Sequence, residues 1–516
     1  MNLVDDPWIP CIRRDGMVRP ASLRDCFTCD DIVDLAVRPH ERVALMRLLL
    51  CVSYAAAGIP EDYDGWEDLR ERLPLEVPVY LDQWRDAFEL FHPQKPFLQV
   101  AGLRSASASG DLTPCSKLDF SLATGSNSTL FDHAALMERA FTPEWLALNL
   151  LTYQMFSLGG LIGSVCWGEK TTGRSSCDGP CAPGSMLHTF LRRDVLLDSI
   201  HVNLLSEEEL HDYQQLGEGW QGRPLWERFP HGLDDAPAIR NATETFLGRM
   251  VPLTRAVLLS RDGAGMVLGD GLAFPSYTSP QRPFPPEVTA TVIAGGKKDV
   301  RFLLGAQPDK AIWRQLAALT VKRQGDGIGG CAALIHGHEE QGTDLVVCGL
   351  SRDQADVVDV LESVFHVPGA MFQTAGHALY EGEVARAENI AGGLGDSVER
   401  YRRLVDGGWE ARLKLAGPKK GGELARLKAQ AFRCYWTSVE TGVSLLWDMV
   451  RTCGSEAFVP VQRAWWAHLE KSARAAYAAA CGKDTERQMR AYVTGRRILA
   501  GRLRKYLEHD GKKEEA

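Results

Sequence analysis

Residues 168–175, Gly-Glu-Lys-Thr-Thr-Gly-Arg-Ser, come close to a nucleotide-binding loop. In that pattern, G-x-x-x-x-G-K-[ST], backbone amides cradle phosphates and the lysine reaches them. Here Arg174 stands where lysine is required, and Lys170 is displaced upstream. The chemistry also needs a strand before the loop and a helix starting at its end. The preceding EWLALNLLTYQMFSLGG reads as helix, and Pro180 and Pro183 prevent a helix behind it. Context therefore argues against an NTPase. What remains is a glycine loop, Gly168 to Gly173, carrying Lys170 and Arg174. It is either a surface that a partner's phosphates approach or a solvated turn.

Other groups raise the question of metal. Cys166, Cys177 and Cys181 lie close together in sequence, and Cys26-x-x-Cys29 is the one tight cysteine pair. A structural zinc site takes four converging ligands, usually as two close pairs, so no metal is expected. HGHEE (336–340) brings His336 and His338 beside two glutamates without a known ligand spacing. It reads as a polar hairpin turn after an apolar strand. In TLFDHA (129–134), Phe131 is either an aromatic free to stack on a base or a staple onto the next helix. In LSRDQADV (350–357), Gln354 falls at an expected strand-to-helix turn, with Asp353 as helix cap.

The elements that must position these groups follow from apolar spacing. Residues 40–59 and about 144–158 read as buried helices, the second capped by Thr142-Pro143, and 82–91 reads as another. Residues 103–129 read as a long surface loop, and TATVIA (289–294) and DLVVCGL (344–350) as strands. From about residue 376, segments 378–405, 422–452, 458–481 and 484–507 carry apolar residues at three- and four-residue spacing. The expected fold is α+β. A large mixed domain over 1–370, with short sheets and helices, precedes an antiparallel four-helix bundle over 371–516.

A chain of 516 residues exceeds the size at which single cores stop growing, about 250–300 residues. With a net charge of −9 it is not a basic DNA coat, yet residues 412–505 hold 19 Lys/Arg against 7 Asp/Glu. That excess suits a polyanion or an acidic partner surface. The start, MNLVDDPWIPCIRRDG, does not read as a signal peptide, and the most apolar run, 45–57, is interrupted by Arg47. A cytoplasmic protein with reduced cysteines is the expectation, with no membrane partner.

Taken in order, several segments resemble the large subunit, the CasA family, of the type I-E CRISPR surveillance complex Cascade. These are NLVDDPWIPC, ERVALMRLLL, KPFLQVAG (95–102), STLFDHA, TFLRRDVLLDSIHVNLL (189–205) and DLVVCGLSRDQADVV, followed by the helical C-terminal part. The resemblance runs over essentially the whole chain and implies a non-catalytic role without cofactor. Such a subunit reads the protospacer-adjacent motif in double-stranded target DNA and helps open the duplex for guide-RNA pairing. It also helps recruit a helicase–nuclease. Division between a protein-read motif and an RNA-read sequence is the logic of RNA-guided effectors.

Position by position, Gln354 resembles the family's glutamine wedge beneath the motif. The stretch Gly168–Gly173 occupies the place of its minor-groove glycine loop. Arg261, in LLSRDGAG (258–265), stands where relatives carry a lysine finger, and Phe131 matches an aromatic at the guide RNA's 5′ end. Implied partners are CRISPR RNA, target DNA, the helicase–nuclease, and the backbone, small and 5′-handle-binding Cascade subunits. Some relatives hold a four-cysteine zinc site, but the matching positions near ALMERAF contain no cysteine. The competing reading is a metal- or nucleotide-dependent enzyme using the 168–175 loop or His336/His338.

Overall fold

The computed structural model describes residues 1–107, 110, 112–123, 132, 139–213, 219–277, 287–296, 300–323, 325, 327–337, 342–354, 356–407 and 422–507. Contacts divide the chain into two compact units. One is Met1–Gly337 with Thr343–His366, the other His338–Gly342 with Val367–Ala516.

Two helices form the middle of the first unit because they are apolar on every side. Pro39–Ala57 is buried at every residue from Val43 to Tyr54. Its one interior charge, Arg47, donates to Glu287 at 2.5 Å and to the carbonyls of Arg249 and Met250. Pro143–Phe156 is buried from Leu146 onward, and the Thr142 hydroxyl accepts from the Trp145 N–H at its start. Both match the helices expected there.

The helix expected over 82–91 is a correction. Tyr63–Gln83 is the helix, capped by Asp62 through the Gly65 N–H, and only a 3-10 turn, Arg85–Phe88, follows. Pro74 and Pro78 lie inside this helix, and such residues ordinarily argue against one. Burial of Trp66, Leu69, Leu73, Val77, Tyr80 and Leu81 along one face outweighs their cost.

The sheet that leads to Gln354 runs in the order Leu187–Arg192, Thr343–Asp353, Asp356–Val367. The first pair is antiparallel, with Leu187 opposite Gly349 and Arg192 opposite Asp344. Thr343–Asp353 is central and nearly continuously buried, whereas Asp356–Val367 alternates exposed and half-buried residues. Asp356, Asp359 and Glu362 on that edge strand oppose pairing with a further chain. A second three-stranded sheet, Val18–Ala21, Ile9–Arg13 and Ile32–Leu35, closes the N-terminal end.

Two smaller expectations change. Of residues 289–294, Val292–Ala294 are strand. Ala332–His336 is a short 3-10 helix rather than a strand running into a hairpin.

The second unit is helical: Thr374–Gly407, Glu423–Glu440, Val443–Arg451, Phe458–Ala480 and Glu486–Leu507. The single helix expected over 422–452 is two, separated at Thr441–Gly442. A Cβ on Gly442 would lie 2.4 Å from the His468 ring, so only glycine permits that approach. Cross-helix bonds fix direction. Tyr435 Oη donates to Ala387 O at 3.0 Å and Lys428 meets Glu399 at 2.8 Å, so the first two helices run antiparallel. Ser438 with Ser472, and Gln430 with Ala479, do the same for Glu423–Glu440 and Phe458–Ala480. Trp465, Tyr380, Tyr435 and Tyr477 fill the interior. None of the described helices is long and apolar enough to cross a membrane.

Candidate nucleic-acid interface

Thr343–Asp353 and Asp356–Val367 form a long hairpin with Gln354 at its tip. The turn is strand-to-strand, not strand-to-helix, and Asp353 caps no helix. The β-branched run Val357, Val358, Val360 and Val364 pairs with the central strand instead. Gln354 is exposed and has φ +55°, the left-handed region that non-glycine residues rarely enter. Tight hairpin turns favour positive φ because it matches the twist of the strands. Holding a glutamine there costs of order 1 kcal/mol and persists where surrounding structure dictates it.

That surrounding structure is visible two residues away. Arg352 Nη1 donates to Asp178 Oδ1 at 2.7 Å, and Arg352 N donates to Ser185 Oγ at 3.2 Å. Leu350 and Ser351 are buried, so the arm is anchored up to the point where the tip emerges. The same Asp178 oxygen accepts from the Gly159 N–H at 2.7 Å. Burial raises the Asp178 pKa, but the hydrogen bonds from Arg352 and Gly159 outweigh it and hold the carboxyl below its usual range.

Gly159 opens a run, Gly159-Gly160-Leu161-Ile162-Gly163, that sequence reading passed over. Gly160–Leu161 pairs with Ser175–Ser176, and Ile162 N donates to Arg174 O at 3.1 Å. A Cβ on Gly159 would lie 2.8 Å from Ser176 O. Leu161 is 92% exposed, an apolar side chain presented on a glycine-flanked ribbon. The signal was three glycines in five residues. It was masked by the closer resemblance of 168–175 to a phosphate loop.

Gly168 occupies the first position of a two-residue turn between Val165–Trp167 and Lys170–Thr171, with Trp167 opposite Lys170. Its φ of +63° is what such a turn asks of glycine. Gly173 has no comparable constraint: the nearest atom to an added Cβ is 4.0 Å away. Lys170 and Arg174 are both exposed, and no carboxylate pairs with either among the described residues. Arg104, opposite Cys166 on the neighbouring strand, adds an exposed cation that only long-range pairing reveals.

Arg261 is exposed in the turn between Arg255–Leu259 and Gly265–Asp270, with Nη2 donating to Phe91 O at 3.2 Å. The turn is fixed by Gly263, φ +71°, where a Cβ would meet Phe141 O at 2.3 Å. Phe131 lies outside the described residues, as does His338.

His336, offered as part of an enzyme site, is buried with both ring nitrogens engaged. Nδ1 meets Val202 O at 3.0 Å and Nε2 meets Glu209 at 2.9 Å. Its ring stacks on Trp66 at 4.0 Å, and His201 stacks on Trp66 at 4.4 Å. This is a packed structural cluster.

The chain is similar to known proteins along most of its length. Residues 2–502 match the model of the family described as CRISPR-associated protein Cse1. A CRISPR-associated protein CasA/Cse1 of Thermus thermophilus is 29% identical over 434 residues, covering 79% of this chain and 78% of its own. Among solved structures, the CasA of Thermus thermophilus superposes with a TM-score of 0.74 at 23% identity, covering 98% of this chain and 99% of the other. Thermobifida fusca Cse1 gives 0.77 at 19% identity, with 98% of each chain covered. A chain of a CRISPR RNA-guided surveillance complex gives 0.70 at 18% identity, covering 97% and 99%. With a family model matched from residue 2 to residue 502, and the same fold from end to end, the chain belongs to the Cse1/CasA family, the large subunit of the Cascade surveillance complex.

Proposed function

We propose that this subunit reads the protospacer-adjacent motif in double-stranded DNA and helps open the duplex for guide-RNA pairing. It also helps bring the helicase–nuclease to the opened target. It acts without catalysis, in the cytoplasm, alongside CRISPR RNA and the other Cascade subunits. The observation that carries this reading is the exposed, left-handed Gln354 on a hairpin anchored by Arg352. A polar side chain held at a rigid tip can take the place of a displaced base and meet its edges. Those contacts offset an unstacking cost of a few kcal/mol.

The glycine run 159–163, the Gly168 turn, Lys170, Arg174 and Arg261 supply a backbone-accessible, cationic surface suited to a DNA groove. The minor groove separates A·T from G·C pairs but is otherwise degenerate. A subunit reading it would tolerate several related motifs. Cationic residues of the helical unit add sequence-independent attraction to phosphates.

The test is Gln354→Ala in the assembled complex, with base unstacking next to the motif followed by 2-aminopurine fluorescence. Opening should fall about tenfold, equivalent to ~1.4 kcal/mol, while assembly is unchanged. Unaltered opening on targets with the correct motif would remove the wedge role. The enzyme alternative loses support from His336, whose nitrogens are both occupied. Bound metal or nucleotide in purified protein would revive it.

A further inference from the structure

Next to the Gly168 turn lies a groove of about 560 Å³ that none of the roles above uses. An added Cβ at Gly168 would sit 3.7 Å from His231 O, so the segment leading to the groove packs against that turn. Arg223, Arg228 and Arg240 line it, together with Trp220, Asn241 and Thr245. All three arginines are exposed, and among the described residues none is paired with a carboxylate. Elsewhere in this unit, Arg24, Arg42, Arg192 and Arg352 each meet one.

Several nearby acids are committed. Glu227 accepts from Tyr80 Oη at 2.6 Å, Asp235 accepts from the N–H groups of His231 and Ala238, and Glu207 accepts from Gln221. Asp235 also feels the Arg228 charge, which offsets the cluster only in part. Like charges gathered this way cost stability, so the cluster favours an anionic ligand.

The groove is also built rather than accidental. Asn241 clamps Arg223 at both backbone groups: Oδ1 accepts from its N–H and Nδ2 donates to its carbonyl, each at 2.9 Å. Phe246 N donates to Trp220 O at 2.8 Å, and Leu247 N to Gln221 O at 2.9 Å. Gly222 has φ +62°, and a Cβ there would collide with Thr245 Oγ1 at 1.9 Å. The loop is thus fixed on the corner between the helices Ala236–Glu244 and Phe246–Met250.

We propose that this groove binds the phosphodiester backbone of duplex DNA beside the motif, extending the cationic surface of Lys170 and Arg174. The identity of the polyanion rests on the motif-reading function above. The lining favours phosphate over an acidic protein. Guanidinium forks match phosphate oxygens bidentately, and apart from Trp220 and Pro237 the side chains of the lining are polar or cationic.

The test is the triple variant Arg223→Ala/Arg228→Ala/Arg240→Ala in the assembled complex. Its affinity for motif-bearing duplexes is measured across a salt series, beside the Arg→Lys triple variant. Each lost phosphate contact should flatten the plot of log affinity against log salt by about 0.9. The alanine variant should therefore lose roughly 2 to 3 from the slope, and the lysine variant should restore most of it. Motif preference and guide-RNA content should stay as in the parent.

Unchanged slope and affinity would overturn the proposal, and so would a loss confined to guide-RNA retention. Gln354→Ala on the same duplexes separates this from the motif-reading function. If opening survives that change while the arginine variant loses its slope, the wedge fails and the groove stands. The reverse pattern removes the groove alone.

Discussion

Arg352 and Asp178 meet at 2.7 Å across 174 positions of sequence, and the same carboxylate oxygen holds the Gly159 N–H. One side chain therefore ties the arm behind Gln354 to the start of the glycine run. The two candidate DNA contacts share a single fastening point.

Asp178→Ala should loosen both at once, whereas Arg352→Ala releases only the arm. The pair is partly exposed, so the expected loss of stability is modest, about 1–2 kcal/mol for Asp178→Ala and less for Arg352→Ala. Thermal unfolding measures this directly. Duplex opening should weaken more with Asp178→Ala, and equal effects of the two changes would mean that the Gly159 bond contributes nothing. The Asp178 pKa is depressed, so its contribution is complete above the unfolded value near 3.9. It is lost only as pH falls below that, through the folded value.

Gln354→Gly separates stability from function at one position. Glycine enters positive φ without a steric cost, so the variant should be as stable as the parent or up to about 1 kcal/mol more stable. Opening should nevertheless fall as far as with Gln354→Ala. A glycine variant that opens duplexes normally would assign the role to the turn's backbone rather than to the glutamine.

Lys170 and Arg174 lie on the short ribbon beside the glycine run. Replacing both with alanine should flatten the salt dependence of duplex binding by nearly 2 if each meets one phosphate. Stability should change by less than about 0.5 kcal/mol because both side chains are exposed. An unaltered slope from filter binding would place phosphate elsewhere.

His188 and His40 are buried in the first unit. Burial lowers the pKa of His188 to about 4, and burial followed by repulsion from Arg38 lowers that of His40 to about 3. Both are neutral in the folded chain, while the unfolded chain protonates them near pH 6.5. Their contribution is full above pH 6.5 and declines as pH drops toward those folded values. At pH 5 each should have cost roughly 2 kcal/mol. Denaturant midpoints across this range test the sign, and His188→Gln should flatten the decline. A midpoint constant from pH 7 to pH 5 would contradict it.

The two all-apolar helices of the first unit are legible because burial on every side leaves a long uninterrupted pattern. Tyr63–Gln83 is not, since its two prolines imitate a break while its buried face lies on the other residues. Gln354 stands out in sequence only through family resemblance. The feature that gives it physical meaning, positive φ on an anchored hairpin, depends on Asp178 and Ser185, far away in the chain. The 168–175 loop drew attention for a reason that did not survive. What its neighbourhood offers instead, the pairing of Arg174 with Ile162 and the packing of Gly168 against His231, comes from contacts no local pattern encodes.

The anchored tip also bears on when disorder is given up. With Gln354 in its turn and Arg352 clasped by Asp178 and Ser185, the arm behind the tip gives up its conformational freedom during folding, before any encounter with the proposed DNA target. The encounter then need not wait for a loop to order itself. For the proposed motif-reading role, a probe that is already in its turn makes contact without the cost of ordering a loop.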